Sequence, residues 1–348
     1  MQAKVITPII PTETEAENPI DTVSCIDWVP ITHSAYIFAS ASWDNKISFY
    51  ELKEGPFLSR MECIDAPATI VSLSWKNNLD KLFLGGMDSK VYLYDLEKER
   101  FQVVVDHKDP LVKVCWIESL NSLVSFSIDG EVKLWDSRMC ETAGQTRLPG
   151  RLHAVDIQQE NDNKFIAGLE NKLVQYTLLK DALLGKKGSF LSVTVKLADM
   201  AQFTSFSISP NGTLAIAGVT DGNIVQFYIK TLIKTIEFSI TDVMSIENDT
   251  FMVSNVEYFP NISGLFYYTG RKIEIVEQRV FSSNRTIISP SPITTSKLSP
   301  DGKYLAFATG DDWSQGLFSK NKYTNEIFLY SIEDMENQIK QDNVVLGH

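Results

Sequence analysis

The residues best suited to hold a metal or to attack a substrate are few. They are four histidines, His33, His107, His153 and His348, and four cysteines, Cys25, Cys63, Cys115 and Cys140. No two histidines are near in sequence, no cysteines form a C-x-x-C pair, and no histidine is matched to a cysteine at ligand spacing. The chain has no G-x-S-x-G nucleophile turn, no P-loop and no G-x-G-x-x-G. The acidic pair Asp311-Asp312 falls in a polar loop, where carboxylates are normally solvated. Catalysis therefore has no constellation to rest on: no catalytic residue, metal or cofactor is expected. Four cysteines in 348 residues do not make a disulfide scaffold, and Cys25 and Cys115, in alternating apolar runs, are expected to be buried free thiols.

One polar feature does recur. Residues 38–51 read FASASWDNKISFYE, residues 82–95 LFLGGMDSKVYLYD and residues 123–136 LVSFSIDGEVKLWD. Each is an apolar strand, a turn holding Asp44, Asp88 or Asp129, and an alternating strand that ends in an aromatic and an acid. The spacings of 44 and 41 residues match the ~40–45-residue period of WD repeats. Weaker copies follow at 165–177 (Glu170 at the turn), 214–228 (Asp221) and 265–277 (Gly270 in place of the acid), and a seventh is split between 304–310 and 326–331. The turn aspartate can accept a backbone N–H across the tight turn and so order the loop.

The elements that would position these turns are strands. Alternation at period two, rich in β-branched and aromatic residues, excludes long amphipathic helices, except for a short one around 332–339. A further strand precedes each repeat, at Val23–Trp28, Ile70–Trp75, Leu111–Trp116, Leu152–Ile157, Thr204–Ile208, Val253–Phe259 and Thr295–Leu298. A sheet with two apolar faces is stable only between neighbours, and closing a ring of sheets protects their edges. The expected fold is all-β: one seven-bladed WD-repeat β-propeller over 1–348, with blades near 20–53, 65–99, 107–140, 148–180, 201–230, 251–280 and 291–335. The last blade needs a strand from the other end of the chain. Residues 3–10 are the candidate, and Pro8 suits an outer edge.

Charge narrows the partners. With a net charge of −12, the chain is repelled by nucleic-acid phosphates and anionic lipid unless its basic residues cluster, and its longest basic doublets are Lys186-Lys187 and Arg271-Lys272. RNA binding is expected only weakly or jointly with a partner. No stretch approaches the roughly 20 apolar residues that span a membrane, and the N-terminus is not a signal peptide. A cytoplasmic or nuclear protein is expected.

Binding then falls to the face that carries the aspartate turns. Trp43 precedes Asp44, and the matching residues before Asp88, Asp129 and Asp221 are Met87, Ile128 and Thr220. Exposed apolar residues on successive blades would make a path for a peptide, and aromatic anchors dominate such interfaces. Trp313, in the long polar loop 311–325, either packs back on the blade edge or adds a rim contact.

Ser42-Trp43-Asp44, LWDSR (134–138), LPGRLHAVDI (148–157) and PITTSKLSPDGKYLAFATGDDWSQG (292–316) resemble the RNA-export (Rae/Gle) propellers, whose close relatives are the mitotic-checkpoint (Bub-type) propellers. The DWSQG loop followed by NEIFLY favours the export branch. The resemblance implies a docking platform rather than an enzyme. Its top face would grip the Gle-binding motif of an FG-repeat nucleoporin, in messenger-RNA export at the nuclear pore, with residence in nucleus, nuclear envelope and cytoplasm. In the checkpoint branch the partners would be checkpoint kinases at kinetochores. The family's blade-one tryptophan carries over to Trp43, whereas its blade-three aromatic position is Ile128 and its blade-five arginine has no counterpart in MAQFTSFS (200–207). Arg151, at the start of blade four, is the candidate to take over that charge. LWDSR also fits the W-D-x-R signature of propellers that serve cullin ligases as substrate receptors.

If residues 1–10 complete the ring, deleting them lowers the thermal unfolding midpoint markedly. An unchanged midpoint in a thermal melt counts against closure by this segment.

Overall fold

The computed structural model describes residues 19–30, 35–53, 57–76, 79–158, 163–170, 173–179, 183, 191–239, 252–260, 264–277, 283–311 and 323–332. The fold is a ring of seven antiparallel sheets, arranged in chain order. Blade 1 runs Val23–Trp28, Tyr36–Ser42, Lys46–Lys53 and Phe57–Asp65 from the channel outward. Blade 2 runs Ile70–Trp75, Lys81–Gly86, Lys90–Asp95 and Arg100–Asp106, and blade 3 Leu111–Ile117, Ser122–Ser127, Glu131–Asp136 and Glu141–Arg147. Blade 4 runs Leu152–Gln158, Lys164–Leu169, Leu173–Leu178 and Leu191–Thr194. Blade 5 runs Phe203–Ile208, Leu214–Val219, Asn223–Tyr228 and Ile233–Ser239. Blade 6 runs Asn255–Tyr258, Gly264–Thr269, Lys272–Glu277 and Ser283–Ile288. Blade 7 shows three strands among the described residues, Ile293–Leu298, Tyr304–Thr309 and Glu326–Ser331.

The inner strands of blades 1 and 7 lie side by side, so the ring closes at its centre. The closing strand expected at 3–10 and the short helix expected at 332–339 fall outside the described residues, save for Ile332. The repeats supply the three inner strands of each sheet; the fourth strand of blades 1 to 6 comes from the segments that link them.

Period-two alternation explains the packing. In Tyr36–Ser42, Ile37, Ala39 and Ala41 face blade 2, while Phe38 faces blade 7. The same division recurs around the ring, and one apolar cluster fills each of the seven interfaces between blades. Aromatic pairs lock several of them: Phe83 of blade 2 stacks on Trp116 of blade 3 with centroids 5.3 Å apart.

The inner strand of every blade has one edge that no strand pairs. Its polar groups are met instead by side chains of neighbouring inner strands. Ser72 and Ser74, two residues apart and so on one face, accept the Val114 and Trp116 N–H groups at 3.0 and 2.9 Å. Ser205 and Ser207 do the same for Val256 and Tyr258, both at 3.0 Å. Asp27 accepts the Trp75 N–H at 3.2 Å, and Asp156 that of Ile208 at 2.9 Å. Lys113 reaches Asp156 at 2.8 Å and Lys297 reaches Glu257 at 2.7 Å. Indole N–H groups add two more links, from Trp28 to the Lys297 carbonyl and from Trp75 to the Asp27 carbonyl, at 2.9 and 3.1 Å. Each of the seven interfaces thus holds at least one such bond.

The same inner strands carry two cysteines. Cys25 and Cys115, at places equivalent to Ser72 and Ser74, are free but only half-buried, which corrects the expectation of burial. Loss of solvent pushes the Cys25 thiol up to about 12, which favours the protonated form. His107 spans two blades. Its buried imidazole contacts Ser125 Oγ at 2.8 Å and Glu131 at 3.0 Å, while its backbone N–H donates to the Ser89 carbonyl at 2.8 Å. Burial and Lys133 hold its pKa below the ordinary histidine range, against the pull of Glu131.

Loss of solvent pushes Asp27 up to about 6, against the pull of Lys297, the Trp75 N–H and Lys113. Burial also works against Lys297, yet Glu257, Asp27 and Asp156 hold it above the ordinary lysine range. With its folded pKa above the unfolded one, Asp27 binds its proton more tightly in the native ring, so its contribution to stability grows as pH falls through about 6.

Two outcomes follow for the belt of inner-strand bonds. Ser74→Ala leaves the Trp116 N–H without its acceptor and costs about 1–3 kcal/mol, read as a lower urea midpoint. Asp27→Asn keeps an oxygen for the Trp75 N–H and removes the charge. Its stability relative to the parent chain is greatest above pH 6 and declines as pH falls toward about 4, checked by urea midpoints at stepped pH.

Candidate functional site

The aspartate turns share one construction. The residue after the second strand donates its N–H to the carbonyl just ahead of the inner strand: Trp43 to Thr22 (3.0 Å), Met87 to Thr69 (2.9 Å), Ile128 to Pro110 (2.9 Å) and Thr220 to Gln202 (3.0 Å). Glu170 to Arg151 (2.9 Å) and Gly310 to Pro292 (3.0 Å) complete the series in blades 4 and 7. These loops therefore all open on one face of the ring. The aspartate then accepts the N–H two residues on: Asp44 from Lys46 (3.0 Å), Asp129 from Glu131 (3.1 Å), Asp221 from Asn223 (3.1 Å) and, longer, Asp88 from Lys90 (3.4 Å). The intervening residue has positive φ in each: Asn45 61°, Ser89 70°, Gly130 83° and Gly222 83°. The carboxylates shape the loops, and the residue ahead of each is what the loop presents.

Second bonds separate the four acids. Asp88 also accepts the Tyr92 hydroxyl, and Asp129 pairs with Arg147. Although loss of solvent opposes its charge, Asp129 is held below the usual carboxylate range by the Glu131 N–H, the Ser127 hydroxyl and Arg147. Asp44 accepts the Ile20 N–H at 3.2 Å, which ties the approach to blade 1 over the Trp43 loop. The Ile20 carbonyl in turn accepts Asn325 Nδ2 of blade 7 at 3.1 Å. Two large apolar side chains, Ile20 (70% exposed) and Trp43 (44% exposed), are left in solvent beside the junction of blades 7 and 1.

A cavity of about 730 Å³ opens at this junction, and Trp43 forms part of its wall. Blade 1 contributes Asp21, Thr22, Val23 and Ser24, and blade 2 contributes Val71. Blade 6 supplies Met252, Ser254 and Tyr268, and blade 7 Ile293, Thr294 and Asp311. The Tyr268 hydroxyl donates to the Thr294 carbonyl at 3.1 Å, and burial and then Glu257 raise its pKa, so it stays neutral. Asp311 is 8% exposed and accepts the Tyr323 N–H at 3.1 Å. The size suits one or two side chains of a bound peptide rather than a large cofactor.

Of the residues proposed from the sequence as peptide contacts, Trp43 alone lines this cavity. Asp44 stands behind it as the loop anchor. Met87 is 41% exposed on blade 2, Ile128 is half-buried on blade 3 and Thr220 is exposed on blade 5, so they lie on the same face but away from the cavity. Arg151 is exposed at the start of blade 4, three blades from Trp43. Trp313 lies outside the described residues. The arginine of LWDSR, Arg138, turns onto Asp136, with Nε 3.0 Å from Oδ1. Sequence reasoning missed Ile20, Asp21, Tyr268 and Met252, because they come from blade-joining segments and from blades at opposite ends of the chain, and it expected Asp311 to be a solvated loop carboxylate, whereas Asp311 is buried in the cavity wall. The only signal in reach was the position of Gly310-Asp311, which matches Trp43-Asp44 in the repeat. Among the described residues no group of three His, Cys, Asp or Glu could hold a metal ion. No helix among them is long and apolar enough to cross a membrane.

No family profile matches the chain. Its sequence is similar over most of its length to several known proteins. It is 23% identical to the mRNA export factor rae-1 of Caenorhabditis elegans, covering 91% of this chain and 88% of that one. It is 23% identical to Protein Rae1 of Drosophila melanogaster (92% and 93%) and to the Poly(A)+ RNA export protein of Schizosaccharomyces pombe (92% and 90%). Among solved structures, the WD40 repeats of RRP9 superpose with a TM-score of 0.76 at 13% identity, covering 94% of this chain and 98% of that one. The structure of U3-55K superposes with a TM-score of 0.75 at 13% identity, covering 90% and 96%. These two likenesses show the fold.

Proposed function

We propose that this chain, a seven-bladed WD-repeat propeller of the Rae/Gle family, is a non-enzymatic docking platform of mRNA export that grips an extended nucleoporin peptide on the face carrying Trp43. The observation that carries this reading is the pairing of Trp43 with the cavity. An indole 44% exposed stands at the wall of an apolar-lined opening in the one face to which every aspartate turn leads. A large aromatic held in solvent by a rigid turn loses little side-chain entropy when a partner covers it, which is how hot spots work. Ile20 extends the apolar surface, and Asp44 fixes both residues without an entropic cost on binding.

The partner class follows from the export relatives and from the face. A Gle-binding motif of an FG-repeat nucleoporin lies across the turns, with one end at the blade 7–blade 1 junction. Met87, Ile128 and Thr220 offer the continuation of the path, and Arg151 a charged contact farther round. The chain acts in the nucleus, at the nuclear pore and in the cytoplasm. Its net charge of −12 leaves RNA to a surface shared with the nucleoporin.

Trp43→Ala weakens binding of a synthetic peptide spanning the nucleoporin motif by about 2 kcal/mol, roughly 30-fold in Kd, with the thermal midpoint unchanged. Isothermal titration measures it, and equal affinity for the two proteins puts the peptide elsewhere. Affinity purification from interphase cells brings down FG-repeat nucleoporins; recovery of checkpoint kinases in their place points to the checkpoint branch.

A further inference from the structure

Blades 1 to 3 present an apolar residue after the second strand, Trp43, Met87 and Ile128, whereas blade 5 presents Thr220. Thr220 serves as a support. Its Oγ1 accepts the Gln202 N–H at 3.0 Å, and its own N–H donates to the Gln202 carbonyl at 3.0 Å. These two bonds fix the segment that leads from the outer strand of blade 4 into blade 5, on the face to which the turns open. The Ala201 N–H donates to the Ala198 carbonyl at 3.0 Å, which closes a β-turn with Met200 at its third position. Val193, Val195 and Leu197 ahead of the turn, and Ala201 and Phe203 behind it, pack into the blade 4–blade 5 interface. Met200 is left 89% exposed, the largest exposure of any large apolar side chain among the described residues.

We propose that Met200 is a second anchor for the docked peptide and receives one of its large apolar side chains; the inference rests on the peptide-docking reading and names the contact at the far end of the path. The apolar display that the turns carry on blades 1 to 3 passes, at blade 5, from the turn to the loop beside it. That loop holds the Met200 backbone in place before a peptide arrives, so little chain entropy is lost on contact. The side chain is unbranched and adapts to the shape of what covers it. A thioether donates no hydrogen bond and accepts only weakly, so a polar or charged partner would give up water without return. An apolar partner instead removes two exposed surfaces from water at once. Trp43 and Met200 are separated by the turns of blades 2, 3 and 4, so a peptide must be extended to meet both.

The test uses the full chain and the synthetic nucleoporin-motif peptide. Met200→Gln keeps the length of the side chain and makes it polar, and Met200→Leu keeps it apolar. In isothermal titration Met200→Gln binds roughly fivefold more weakly than the parent chain and Met200→Leu binds within about twofold of it, with thermal midpoints unchanged. In protein labelled at the methionine methyl carbons, the Met200 resonance is assigned by its loss in Met200→Gln. The peptide shifts that resonance and leaves those of Met61 and Met139 in place. Both controls are exposed, Met61 on the outer strand of blade 1 and Met139 between the third and fourth strands of blade 3, at the end opposite the aspartate turns. Replacing the peptide's apolar residues by alanine one at a time identifies the contact: one replacement costs the Met200→Gln chain little further affinity, and it is not the one coupled to Trp43. Parental affinity in Met200→Gln, equal losses in the two Met200 variants, or a Met200 resonance unmoved at saturating peptide overturns the proposal. If Trp43→Ala still weakens binding in that case, the docking reading stands and the second anchor alone falls. If the parent chain does not bind the peptide, both fall.

Discussion

Each sheet of this ring ends inward on a strand whose second edge has no strand to pair with. Seven such edges converge on one channel, where unmet backbone groups would each cost about 1–3 kcal/mol. The chain answers with short polar side chains at alternate positions of the inner strands. Serines at 72, 74, 205 and 207 and aspartates at 27 and 156 accept N–H groups of the next blade. Because N–H groups along a strand also repeat every two residues, two serines two apart serve two donors at once. These bonds set how each blade is staggered against its neighbour, and the apolar clusters outside them then fill a space of fixed shape.

That constraint reaches the surface through the turns. Once the inner strands are in register, the carbonyls ahead of them stand in a circle, and each accepts the first N–H of an aspartate turn. At the position that follows the second strand the turns display tryptophan, methionine, isoleucine, glutamate, threonine or glycine. At Gly310 a Cβ would crowd the Asn325 amide, the group that also holds the Ile20 carbonyl, so a larger residue there must displace it. Trp43 on blade 1 and a bare Gly310 on blade 7 thus stand at matching places on adjacent blades, and the cavity opens beside them.

Charge is distributed with the same economy. The chain is acidic overall, and the cations in the channel are neutralised there by carboxylates of neighbouring blades: Lys113 by Asp156 and Lys297 by Glu257. The mouth of the cavity carries the carboxylates of Asp21 and Asp311. The arginine that the family resemblance places in blade five has no counterpart in residues 200–207, and Arg151 at the start of blade 4 lies outside the cavity lining.

The sequence by itself determined the class of fold, the number of blades and the inner strands almost to the residue. Strand periodicity and the turn acids at 44, 88 and 129, spaced 44 and 41 residues apart, are local signals, and local hydrogen bonds such as Asp129 to the Glu131 N–H produce them. Blade 6 shows the limit of such signals: Val253–Phe259 was expected as its inner strand, and only Asn255–Tyr258 pairs. It also identified Trp43 and the face it occupies. What only the tertiary structure decided is which of the displayed residues share a site. The path expected along blades 1, 2, 3 and 5 follows chain order, whereas the cavity draws on blades 6, 7, 1 and 2, which adjoin only because the ring closes. Asp21 and Asp311 are 290 positions apart and carry no mark in the repeat that pairs them. Closure is a long-range event, set by the wedge of seven packed sheets, and no local pattern records which loops it brings together.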